Sequence, residues 1–173
     1  MSTTDTIPAT IPVAAHQIAI VVYGNPAPQG SKRVVRGGTM IDVNPAALRE
    51  WREDVKQAAL AAMRTTPGWF RQYPAIVAHF AFTLPRPKSH YWPVNQTRLV
   101  PVLREDAPHL HASTPDLDKL TRSTCDALTA SGVYVDDARV AQLHAAKVYV
   151  AAIGTGAMDR PGARIVLTGV NQS

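Results

Sequence analysis

TPDLDKLTRSTCDALTASG (Thr114–Gly132), running on into VYVDDARV (Val133–Val140), is the stretch on which the architecture turns. Thr114 suits a helix cap and Pro115 a first helical position. Leu117, Leu120, Thr124, Ala127 and Leu128 recur at steps of three and four residues, the period of one buried helix face. Gly132 supplies the stop, since glycine enters the left-handed region without a Cβ clash. Five of the 13 acidic residues (Asp116, Asp118, Asp126, Asp136 and Asp137) fall in this short span. On an ideal helix, residues two apart point about 200° away from each other. Asp116 and Asp118 therefore converge only if Asp116 stays in the non-helical lead-in, which Thr114-Pro115 favours.

Outward from this helix the period changes. IAIVVY (Ile18–Tyr23) is an apolar, β-branched run that stops at GNPAPQG, so a strand feeding a loop is expected, with Ser31, Lys32 and Arg33 following. VVRGGTMIDV holds two short strand-like pieces about Gly37-Gly38, a hairpin signal. From Pro45 to about Arg64, Asn44 as cap and Leu48, Trp51, Val55, Ala58 or Ala59, and Ala62 at helical steps define the other helix. Its outer face would bear Arg49, Glu50, Arg52, Glu53 and Lys56. AIVAHFAFTL (Ala75–Leu84) alternates Ile76, Ala78, Phe80, Phe82 and Leu84 against its other face, the period of a strand. PRPKSHYWPVNQTRLVPVLREDAPHLHASTP then breaks every pattern, and residues 85–113 read as a long, partly mobile basic loop. RVAQLHAAKVYVAAI and ARIVLTGV supply two further strands. The sum is an α/β fold: a compact mixed β-sheet with two principal helices, one carrying the acidic cluster at its N-terminus.

The 173 residues suffice for one domain, and no internal repeat or second domain is visible. Residues 1–16, rich in Thr, Pro and Ala with almost no charge, read as a flexible arm, with order beginning near Gln17. The single cysteine, Cys125, excludes an internal disulfide and a thiolate zinc module; mid-helix, it reads as a small buried hydrophobe. No apolar run approaches the ~20 residues that span a bilayer, and the N-terminus lacks signal-peptide features. A cytoplasmic protein with no membrane partner is expected. Lys plus Arg (18) exceed Asp plus Glu (13), giving +5 and a pI near 9.7, which suits a polyanionic partner.

Clustered carboxylates with no thiol and no obligatory imidazole are the ligand set preferred by Mg²⁺ or Mn²⁺. Such an ion activates water and offsets charge on a phosphodiester. The same aspartates have a plainer explanation, because an Asp at a helix start serves the macrodipole and a paired Asp after a strand serves a turn. His109 and His111 stand at metal-like spacing but in the long loop. His79 and His144 read as structural or exposed, and Trp51 as core.

Asp116-Leu117-Asp118, Asp126-Ala127-Leu128 and Val135-Asp136-Asp137-Ala138-Arg139-Val140, in that order, resemble the signature of the RusA family of Holliday-junction resolvases: P-D-x-D-N-x-x-K, then D-A-L, then D-D-x-Q-V. GNPAPQGSKR resembles the family's opening glycine-proline-basic loop, and the similarity spans about Ile18 to Val150. The resemblance implies a homodimeric, RusA-like endonuclease domain over residues 17–173, cutting four-way junction DNA symmetrically to leave a 5′-phosphate and a 3′-hydroxyl. It further implies that Asp116, Asp118 and Asp137 bind Mg²⁺ and are needed for cleavage, with Asp136 beside them and Asp126 supporting the helix. Two positions depart from the pattern: Lys119 stands where the family has Asn, and Arg122 where it has a catalytic lysine. Arginine stays protonated at neutral pH, so Arg122 is expected to stabilise phosphate charge rather than transfer a proton. The plainer alternative is an i, i+4 ion pair of Arg122 with Asp118.

Lys119, with Lys32, Arg33 and Arg36 of the first loop and hairpin and Arg86, Lys88 and Arg98 of the long loop, would follow DNA phosphates. Tyr91 and Trp92 would either stack on exposed bases or pack on the body. Two other functions stay open on the residues alone: a junction-binding protein that has lost turnover through the exchange at Arg122, and a metal-dependent hydrolase of small phosphate esters.

Overall fold

Strand β1 (Gln17–Tyr23) places Ile18, Ile20 and Val22 on one face, all buried, and leaves Val21 and Tyr23 exposed on the other. That alternation sets the plan of the molecule, a four-stranded main sheet with both α-helices on one side. The structure, a computed structural model, describes residues 16–30, 32–34, 40–42, 44–97, 99–152 and 154–171. Apart from His16, whose carbonyl accepts from the Gly169 amide, the expected arm lies outside these residues, as do Gly37-Gly38, Arg36 and Arg98.

After β1 come β2 (Lys32–Val34) and β3 (Met40–Asp42), an antiparallel pair, as the hairpin signal predicts. Helix α1 (Pro45–Thr65) is capped by the Asn44 side chain, which accepts from the Ala47 amide at 3.2 Å. Strand β4 (Ala75–Leu84) follows, then a 3-10 turn at Lys88–His90 and a small hairpin, β5 (Tyr91–Trp92) with β6 (Val102–Leu103). The segment 85–113 is thus not without pattern. Its Leu110 bridges Val148, and its Arg86 guanidinium donates to the carbonyls of Val150 and Pro108, both at 2.8 Å. Helix α2 (Leu117–Ser131) leads through a 3-10 turn at Asp137–Arg139 to β7 (Val140–Tyr149) and β8 (Gly162–Val170).

The sheet order is β1-β8-β4-β7. β4 and β7 are parallel neighbours, as a strand–helix–strand crossover through α2 requires. β8 is antiparallel to both β1 and β4, which makes β1 and β4 parallel to each other. The two helices share the inner face. Trp51, Val55 and Ala59 of α1 and Leu120, Ala127 and Leu128 of α2 join Ile18, Ile20, Phe80, Phe82, Ile165 and Leu167 in one core. The Trp51 indole N–H donates to the Thr124 hydroxyl at 3.2 Å, so the helices are joined by a buried hydrogen bond as well as by packing.

Two local expectations are corrected. Asp116, not Thr114, is the N-cap residue of α2: its backbone is extended (φ −67°, ψ 138°), its carbonyl accepts from Leu120 at 3.1 Å, and Pro115 precedes the helix in a cis peptide with Thr114. Arg52 is not simply on an outer face. Because α1 and α2 lie in one layer, its flank meets α2, and the guanidinium binds Asp126 at 2.5 Å and Gln29 at 2.7 Å.

Candidate active site

The loops leaving the C-terminal ends of β1 and β4 meet at the N-terminus of α2. Gly24 turns the first of them at φ 144°, where a Cβ would lie 2.4 Å from Asp54 Oδ2. Two bonds then dock this loop on the helix: Gln29 N–H to Lys119 O at 3.0 Å, and Ser123 Oγ–H to Ala27 O at 2.7 Å. Between loop and helix lies a cleft of about 460 Å³, lined among others by Asn25, Pro28, Gly30, Pro115, Asp116 and Lys119. In open α/β sheets this end of the strands is where ligands bind, and the helix N-terminus adds partial positive charge.

Asp116 holds the capping position yet makes no side-chain cap bond. Its carboxylate instead meets Lys119 Nζ at 2.8 Å in the cleft. Lys119, and more weakly Lys147, hold the Asp116 carboxyl below the usual carboxylate range, while Asp116 raises Lys119. Asp118 is exposed in the first helical turn. The requirement that Asp116 precede the helix is met.

Lys147 is the residue the sequence reading passed over. Its ammonium donates to the carbonyls of Ser113 and Pro115, both at 2.6 Å, and so ties β7 to the segment that delivers Asp116. The signal was present: Lys147 falls in phase with Leu143, Ala145 and Tyr149, on the face of β7 paired in register with Phe82. A charge at a core-facing strand position needs partners.

Arg122 is exposed, and no ion pair joins it to Asp118. Asp118, Arg122 and Cys125 stand at i, i+4 and i+7, hence on one side of α2. Asp137 opens the 3-10 turn that follows α2, and its charge is felt at Cys125 and Tyr134. Asp136 accepts from the Ala138 amide at 2.8 Å. That bond, with the Arg139 charge beside it, holds Asp136 below its ordinary range. Among the described residues, no three of His, Cys, Asp and Glu are already gathered as a metal-binding group. Asp116 and Asp118 thus stand at the N-terminal end of α2, whereas Asp137 stands in the turn that follows its C-terminal end, and the three do not form a closed triad. His111 donates its amide to Lys147 O at 3.0 Å and packs on Tyr149, and burial lowers its pKa. Burial likewise pushes the Cys125 thiol up to about 11, which leaves it unreactive as a nucleophile.

Of the basic residues, Lys119 lines the cleft. Lys88 is exposed beside the β5–β6 hairpin, and Arg86 holds the long segment to Val150 and Pro108. Lys32 and Arg33 lie in β2.

A cleft lined largely by small and apolar residues, with the Asp116–Lys119 pair set in it where two strand-end loops meet a helix N-terminus, defines the class: a small α/β protein with a candidate site at the head of α2. A family model makes this specific. The model described as endodeoxyribonuclease RusA matches residues 23–155, more than half of the chain, taking in both helices, the cleft and all five clustered aspartates. The chain belongs to the RusA family, whose members are endodeoxyribonucleases that resolve Holliday junctions. No curated protein matches it.

Proposed function

We propose that this chain is a Mg²⁺-dependent endodeoxyribonuclease that resolves four-way junctions as a homodimer, in DNA recombination and repair in the cytoplasm. One observation carries the reading. Within a family of nucleases, Asp116 occupies a capping position but directs its carboxylate into a cleft against Lys119, beside an exposed Asp118. The chemistry of the donor set fits a hard divalent ion, with Asp116, Asp118 and Asp137 as ligands. Without a cation, three like charges hold apart, so that gathering them would accompany metal binding.

Bound Mg²⁺, or Mn²⁺ in its place, supplies an activated water and neutralises phosphate charge. The remaining work falls to the chain. Lys119 and the α2 amides attract the phosphate, the Arg122 guanidinium offsets charge that develops on it, and Lys147 fixes the backbone on which Asp116 is carried. Lys32, Arg33, Arg36 and Lys88 extend the contact along the backbone of an arm. A two-fold dimer presents one acidic site to each of two strands of like polarity.

The test is substitution at the three aspartates. Asp116→Asn, Asp118→Asn and Asp137→Asn should each abolish cleavage of a synthetic junction while leaving junction binding intact or tighter, since each removes negative charge near a polyanion. Substantial cutting by all three variants would remove this site from consideration.

A further inference from the structure

The β5–β6 hairpin exposes more apolar surface than any other short segment described. Trp92, Val94, Leu99, Val100, Val102 and Leu103 are all exposed, Leu99 to 81 % and Val100 to 64 %. Scattered apolar side chains at a surface need no explanation, but a contiguous group of this size marks a contact site. Beside it lies a groove of about 610 Å³, lined by Lys88, Tyr91, Trp92, Pro93, Val94 and Pro101 among others, a volume within the ~300–1,000 Å³ typical of small-molecule sites.

The hairpin is held rather than trailing. Tyr91 pairs with Leu103 and Trp92 with Val102, and the Arg104 amide donates to His90 O at 3.0 Å. The Arg104 guanidinium lies 4.7 Å from the centroid of the Trp92 ring and is fixed by Asp106 at 3.0 and 3.1 Å, so the indole is oriented in advance. Arg86 anchors the segment to Val150 and Pro108.

Charge decides between occupants. From Pro85 to Asp106 the chain has four basic residues (Arg86, Lys88, Arg98 and Arg104) against two acidic ones (Glu105 and Asp106), and Asp106 is paired with Arg104, so the excess charge is positive and Lys88 carries it at the groove. A neutral apolar partner gains nothing from such a rim, whereas a polyanion with flat apolar faces gains from both parts. Flat rings and prolines bordered by cations are the means by which proteins hold unpaired bases. Base faces are covered in a continuous duplex; they are uncovered in single strands and at a branch point, where stacking is interrupted.

We infer that the groove at Tyr91, Trp92, Pro93 and Pro101 is a stacking site for an exposed nucleobase, with Lys88 on the adjoining phosphate. This rests on the proposed action on junction DNA and adds to it: the hairpin recognises the branch point itself, separately from the aspartate cleft.

The test uses the full chain with Ca²⁺ replacing Mg²⁺, and 2-aminopurine placed at the crossover of a synthetic junction, in a single-stranded oligonucleotide and within a linear duplex. Wild-type protein should change 2-aminopurine emission in the first two and not in the third. Trp92→Ala should abolish the change and weaken junction binding about 10-fold, the scale of one lost stacked base, while linear-duplex affinity and the thermal midpoint hold; Trp92→Phe should retain the signal. Unchanged emission with wild-type protein on both probes, or Trp92→Ala binding as wild type, would overturn the stacking site while leaving junction cleavage, read separately in Mg²⁺, unaffected. A dimer-to-monomer shift for Trp92→Ala in light scattering would also overturn it, assigning the surface to self-association. Failure of binding and cleavage on every branched DNA, with the single-strand signal intact and dependent on Trp92, would refute the proposed function and keep the base site.

Discussion

Asp116 and Lys119 make a 2.8 Å pair at the mouth of the cleft, and the lysine holds the carboxyl below its usual range. The sign of the pH effect follows. A depressed pKa keeps Asp116 ionised as pH falls through the ordinary carboxylate range, so an activity that needs this carboxylate persists there. In Lys119→Met the Asp116 pKa rises, and the acid limb of the cleavage profile should move to higher pH. An acid limb that stays in place would separate the pair from the reaction. Arg122 is tested differently, because it lacks the Asp118 pair and is exposed. If its guanidinium offsets phosphate charge, Arg122→Lys should keep much of the cutting rate and Arg122→Ala should lose ~10²-fold or more. Near wild-type cutting by the alanine variant would make it a bystander. The placement of Asp116 ahead of α2, and of Asp118 and Arg122 within it, was legible because it rests on one short run of sequence. Lys147 was not: its partners Ser113 and Pro115 lie more than thirty positions away, and only the register of β7 shows that it points inward.

Helix α1 and the end of α2 were readable almost to the residue because they carry their own chemistry, whereas the N-cap of α2 lies two residues beyond the expected Thr114 cap. Asn44 caps α1, and Gly132 ends α2 at φ 71°. Trp51 shows what local reading leaves out. Its burial follows from periodicity, but its hydrogen bond to Thr124 joins residues in different helices, 73 positions apart. That bond is buried, and Thr124→Val keeps the side-chain shape while leaving the indole N–H without its acceptor. The variant should lose about 1–3 kcal/mol of stability, seen as a lower urea midpoint at unchanged slope; an unaltered midpoint would show that the bond contributes nothing net. Arg52 escaped for the same reason as Trp51's partner. Helical phase alone puts it on the outer face with Arg49 and Glu53, and only the side-by-side packing of α1 on α2 brings it to Asp126.

At the scale of the molecule, the mixed sheet and its two helices were expected, whereas the strand order was not. β8, the last strand, inserts between β1 and β4, pairing Gln17 with Thr168. No local pattern encodes a pairing across almost the whole chain; it emerges from burying the inner faces of four strands against two helices. No helix among the described residues is long and apolar enough to cross a membrane. The consequence of this arrangement is that one end of the sheet gathers the cleft loop, the α2 terminus and Lys147, and the central claim is that this end cuts branched DNA with a divalent ion. The direct measurement is incubation of the protein with a synthetic mobile four-way junction and a linear duplex of the same sequence, with Mg²⁺, with Ca²⁺ and with chelator. The account predicts symmetric paired nicks that yield two nicked duplexes from the junction in Mg²⁺ alone, with the linear DNA spared. Cutting that persists in chelator, cutting of junction and linear duplex at the same rate, or an intact junction in Mg²⁺ would contradict it.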